Sequence, residues 1–159
     1  MLGIIYNIHR GLQLGLLIYF YLRISTEPKV LSKIKFTHMD AQSMKFRDDS
    51  FNTVISANFL HDVKKPKKSV QEMIRITRPG GKIIISDLNK KGMLLVNKVY
   101  RKQGDVHKGS TLDLEKISGE DFKKAGIYFK KYNDGYITTY VCKKAGIPDP
   151  HCWKEEMEK

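Results

Sequence analysis

The chain has 159 residues, with 29 Lys and Arg against 17 Asp and Glu, for a formal net charge of +12. At 41% hydrophobic and 29% charged residues it has enough apolar side chains for a single core and too many for a disordered tail. Two cysteines, Cys142 and Cys152, exclude a multi-bridge disulfide scaffold, and together with the lysine content they suit a reducing compartment.

Residues 1–24 (MLGIIYNIHRGLQLGLLIYFYLRI) are apolar and aromatic with no Asp or Glu. A membrane-spanning helix needs roughly 18 to 20 nearly uninterrupted apolar residues, and Asn7, His9, Arg10 and Gln13 interrupt this stretch. No small-residue cleavage site follows it. The segment is therefore expected to be a strand or helix of the domain or an aberrant start, with membrane anchoring as the alternative. Three regions result: the apolar segment 1–24, a partial domain 25–144 and a polar tail 145–159. The expected location is cytoplasmic, or membrane-associated if the first segment anchors.

Residues 33–39 (KIKFTHM) alternate Ile34, Phe36 and His38 with β-branched Thr37 and read as a strand ending at Asp40. Residues 51–57 (FNTVISA) form a second strand, apolar at its centre as a strand covered on both faces would be. A helix is predicted over 67–78, with Val70, Met73, Ile74 and Thr77 at helical spacing and Pro79-Gly80-Gly81 stopping it. A strand over 82–87 (KIIISD) and a helix over 92–102 follow, then a loop over 103–112. Residues 114–126 read as a helix with Ser118 as a cap and Gly126 as its end. Two closing strands, 127–132 and 136–143, flank Asn133-Asp134-Gly135, where Asp-Gly signals a hairpin.

This order predicts an α/β fold: a mainly parallel sheet with helices on both faces and a C-terminal antiparallel hairpin. Ligands of such sheets bind outside the carboxyl ends of the strands. Asp40-Ala41, residues 58–62 and Asp87-Leu88 lie at those ends. The lysine clusters, Lys64, Lys65, Lys67, Lys68 and Lys123, Lys124, Lys130, Lys131, interleave no stacking aromatics and match no nucleic-acid-binding pattern. They read as solvated faces, and a nucleic-acid partner is not expected. Cys142 reads as core, and His151-Cys152 lacks the further ligands a zinc site demands, so no metal is expected.

Residues 33–88, with SGEDFKKAGI and the hairpin behind them, resemble the carboxyl half of the class I S-adenosylmethionine-dependent methyltransferases. The likeness is to their small-molecule branch, through the order strand, Asp-Ala, Ser-Phe, strand, Leu-His, helix, Arg-Pro-Gly-Gly, strand, Asp. The resemblance implies S-adenosyl-L-methionine as cofactor and a small-molecule methyl acceptor. It implies that Asp40 accepts from the adenine amino group while the Ala41 backbone reads the ring edge. A carboxylate suits that task because it is acceptor-only. Met44 and Phe46 would cover the adenine or pack the turn. Asn58 and Phe59 would face the methionine end, and His61 is either a base or, more in keeping with this branch, a positioning residue. Asn52 stands where the family usually has Asp.

Two parts of the family pattern are missing from the sequence, the acidic glycine-rich turn and the ribose-binding carboxylate, so the resemblance implies a Rossmann-like sheet that is incomplete at its N-terminal side. Gly11 and Gly15 have the wrong spacing for the turn, and Glu27 lacks the strand that should precede a ribose acid. The expected function is accordingly methyl transfer from S-adenosylmethionine to a small molecule. The alternative is an inactive fragment or partner subunit that keeps the carboxyl half of the fold.

Overall fold

The computed structural model describes residues 2–6, 34–102, 104 and 111–146. The predicted elements on 7–33, including Gly11, Gly15, Glu27 and the apolar run 14–22, lie outside the described residues, as do most of the loop 103–110 and the tail from 147. Two compact units result, residues 1–45 and 46–159.

In the first unit, β1 (Leu2–Tyr6) pairs in parallel with β2 (Ile34–His38), from Leu2 opposite Ile34 to Tyr6 opposite His38. The start of the apolar N-terminal segment is thus a strand, one of the options its composition left open.

The second unit is a four-stranded mixed sheet in the order β3-β4-β6-β5: β3 (Phe51–Ala57), β4 (Thr77–Leu88), β5 (Ile127–Asp134) and β6 (Ile137–Lys144). β3 and β4 run parallel, whereas β6 runs antiparallel to both β4 and β5. Parallel pairing demands a crossover, and α1 (Pro66–Ile76) supplies it. α2 (Lys90–Lys102) and α3 (Leu114–Lys124) connect β4 to β5. This is the Rossmann-like architecture the sequence predicts.

The period-2 alternation of β4 and β6 builds the core. Ile83, Ile85, Tyr140 and Cys142 are buried, and the register places Ile83 opposite Cys142 and Ile85 opposite Tyr140, so one face of the sheet is apolar. Phe129 of β5 links it to α3, with ring centroids 5.8 Å from both Phe122 and Tyr140. α1 adds Val70, Met73 and Ile76, all buried. The opposite face, carrying Ile84, Ser86, Thr139 and Val141, is half-buried. β3 pairs with one strand among the described residues, and Ile55 is 60% exposed, so this strand is not covered on both faces as its apolar centre suggested.

Three local predictions are corrected. The first helix ends at Ile76, not Arg78: Thr77 is already extended (φ −81, ψ 124), and its N–H and hydroxyl both reach back to the Met73 carbonyl. The residue before a proline avoids the helical region, so Arg78 could not have continued the helix. Pro79-Gly80-Gly81 therefore interrupts the β3–β4 ladder instead of stopping the helix, since β4 advances from Thr77 to Lys82 while β3 advances only from Phe51 to Thr53. Gly80 takes φ +76, and a Cβ on Gly81 would lie 2.9 Å from the Asn52 carbonyl. The cap of α3 is Asp113, whose carboxylate accepts from the Lys116 N–H at 3.3 Å; Ser118 is buried inside the helix. The hairpin turn is Gly135-Tyr136, because Asp134 still pairs with Ile137.

Candidate functional site

In the second unit the carboxyl ends of β3 and β4 lie side by side, with Ala57 paired to Ser86. The next residue, Asn58, donates its N–H to the Ser86 carbonyl at 2.8 Å and turns into the left-handed region at φ 47. Asparagine tolerates that region better than most residues, yet it remains a sparsely used conformation that marks functional turns. Asn58 is exposed, Phe59 half-buried, and Leu60 is buried at the start of a 3₁₀ turn, Leu60–Asp62.

That turn is fastened to the end of β4 by Asp87, which is buried. One carboxylate oxygen, Oδ2, accepts from the His61 backbone N–H at 3.0 Å. The other, Oδ1, is hydrogen-bonded to His61 Nδ1 and accepts from the Leu88 N–H. The far ring nitrogen, Nε2, lies 3.6 Å from Asp62 Oδ2. Burial lowers the His61 pKa, but the hydrogen bond and charge of Asp87 and the charge of Asp62 outweigh it, and the imidazole titrates above its ordinary value. With its side chain only 6% exposed and Nδ1 committed to Asp87, His61 is built as a strut for the loop. Asp87, which the sequence placed at the carboxyl end of a strand, is the other half of that strut.

In the first unit, Asp40 follows β2 and opens a turn. The Ser43 N–H meets the Asp40 carbonyl at 3.1 Å, while the Gln42 N–H and side-chain amide donate to Oδ1 at 2.9 and 3.1 Å. These two donors hold the carboxyl below the usual carboxylate range. Asp40 is exposed and Ala41 buried. An ionised carboxylate with Oδ2 outside the turn's hydrogen bonds is chemically fit to accept from an amino group such as that of adenine. Met44 is buried; Phe46 packs edge-on against Phe51 at 4.9 Å, the packing option of its two sequence readings.

Sequence reasoning passed over two clamps that hold the segment leading into β3. Arg75 of α1 donates to the Phe46 carbonyl and to Asp48 Oδ1, both at 2.7 Å, and to both oxygens of Glu72 at 2.8 Å. Lys144, at the end of β6, donates to Asp49 Oδ1 at 2.9 Å and to the Ile74 and Thr77 carbonyls at 3.1 and 2.7 Å. Among the described residues no group of three or more His, Cys, Asp or Glu could hold a metal.

Residues 20–85 match the model of the methyltransferase domain. The match covers 66 of the 159 residues and is consistent with the class I S-adenosylmethionine-dependent methyltransferases that the sequence resembles. The demethylmenaquinone methyltransferase of Clavibacter sepedonicus is 35% identical over 68 residues, covering 43% of this chain and 28% of that protein. The ubiquinone/menaquinone biosynthesis C-methyltransferase UbiE of Hahella chejuensis is 33% identical over 81 residues, covering 51% of this chain and 31% of that protein. The chain thus spans less than a third of the length of these relatives. An S-adenosylmethionine-dependent methyltransferase from Methanosarcina mazei has a similar structure, with a TM-score of 0.61 at 15% identity over 92% of this chain and 82% of that one. The [4+2]-cyclase SpnF is similar too, with a TM-score of 0.59 at 15% identity over 91% of this chain and 68% of that one. S-adenosyl-L-methionine is the cofactor of the family.

Proposed function

We propose that the chain works as an S-adenosylmethionine-dependent methyltransferase domain whose acceptor is a small hydroxylated ring of the quinol class. The acceptor class comes from the two relatives, which are named for demethylmenaquinone and for ubiquinone and menaquinone. The observation that carries the reading is Asn58, exposed and left-handed at the carboxyl end of a parallel strand, on a loop that Asp87 fastens through His61.

In this reading Asp40 accepts from the adenine amino group, and the Ala41 backbone borders the same ring. Asn58 and Phe59 face the amino-acid end of the cofactor. The bound cofactor supplies an electrophilic sulfonium methyl, so the protein's contribution is alignment and exclusion of water. Asp87 and His61 serve alignment by holding the loop from Asn58 to Asp62 against β4. His61 is a positioning residue, since its Nδ1 is engaged and its ring is buried.

Incubating the full chain with methyl-tritiated S-adenosylmethionine and a reduced 1,4-naphthoquinone that carries a free ring carbon tests the assignment. Label extracted with the ring is expected. Cofactor binding with no label in the ring would instead favour a non-catalytic role.

A further inference from the structure

α2 is the one described helix whose outer face combines bulky aliphatic side chains with unopposed positive charge. Its sequence, KKGMLLVNKVYRK, holds five cations and no acid. Gly92 and Met93 are buried. A Cβ on Gly92 would lie 2.2 Å from the Tyr136 carbonyl, so this side of the helix is pressed against the hairpin turn. At about 100° per residue, Lys90, Arg101, Leu94, Lys98, Lys91, Lys102, Leu95 and Val99 follow one another around the opposite half-turn. Leu94 is 70% exposed, Leu95 47% and Val99 46%, and all five cations are exposed with no ion pair among the described residues. Leu94, Asn97, Lys98, Arg101 and Lys102 line an open concavity of about 470 Å³.

A protein partner would need a surface both acidic and apolar. A nucleic acid would use the cations but not the leucines, and this face offers no exposed aromatic ring for stacking. A leaflet of anionic phospholipid satisfies both requirements at once: phosphates for the interleaved Lys and Arg, acyl boundary for Leu94, Leu95 and Val99. We propose that α2 lies flat on an anionic lipid surface and is a docking element of this protein. The proposal rests on α2 alone and does not depend on the methyl-transfer reading.

The test is sedimentation of the full chain with vesicles of phosphatidylglycerol and phosphatidylcholine, compared with phosphatidylcholine alone, at low and moderate salt. Binding is expected to the anionic vesicles only and to weaken as salt rises. K98E/R101E should reduce it by at least ~20-fold, taking about fivefold per cation, before counting the charges added. L94S/L95S should reduce it about tenfold. Unchanged far-UV circular dichroism and melting would show that both variants fold. Equal binding to neutral vesicles, retention by either folded variant, or binding to a 20-nucleotide RNA in place of vesicles would overturn the proposal. Retention by both variants would move the attachment elsewhere, the apolar residues 1–24 included.

Discussion

Asp87 and His61 occupy successive strand ends, and their pairing follows from the β3–β4 register, in which Ala57 stands beside Ser86. Both residues are visible in the sequence; their partnership is not, because the register was set by the interruption at Pro79-Gly80-Gly81 and could not be counted from the strands alone. The pair has a consequence for stability. The His61 pKa is raised in the folded chain. Its contribution is therefore complete below the unfolded value near 6.5 and fades as pH rises through the folded value. Urea unfolding at pH 5.5, 7 and 8.5 should show that decline in the wild type, and His61→Gln should flatten it. Asp87→Asn leaves a buried imidazole without its anion and should lower stability by about 3 kcal/mol at pH 6. A His61→Gln profile as steep as the wild type would contradict this assignment.

Among the elements, β2, β3 and the hairpin were legible to within a residue or two, since strand period and the turn residues agree there. The ends of the helices were less so. Ser118 has the chemistry of a cap but lies one turn inside α3, where its hydroxyl is buried and has no hydrogen-bond partner among the described residues. Asp113 does the capping from the position between the predicted loop over 103–112 and the predicted helix over 114–126, which the sequence assigned to neither. The two are separable by measurement. Asp113→Ala should cost about 1 kcal/mol. Ser118→Ala should be neutral or stabilising, because it removes a buried hydroxyl that has no partner among the described residues. Chemical denaturation that ranks them the other way would restore Ser118 as the cap. The clamps of Arg75 and Lys144 were illegible for a different reason: each joins residues far apart in the chain, and a charged side chain at the end of an element carries no periodic signal.

Over the whole chain, the pattern of strands and helices revealed the second unit, and the resemblance carried the family; Asp40 and Ala41 fall in the first unit, Asn58 and Phe59 in the second. The core of the second unit gives its own test. Cys142 is buried, which pushes its thiol up to about 12. In a Cys152→Ser background it should resist a thiol reagent at pH 8 and react fully in urea; rapid reaction of the folded chain would show that β6 is not interior.

The central proposal is that this chain binds S-adenosylmethionine. Isothermal titration of the full chain with the cofactor measures it most directly. Saturable heat is predicted, with Asp40→Asn weakening binding about tenfold or more through loss of a charged acceptor and Asn58→Ala weakening it as well. Absence of heat at millimolar cofactor would contradict it, and binding unchanged in both variants would contradict the roles of Asp40 and Asn58.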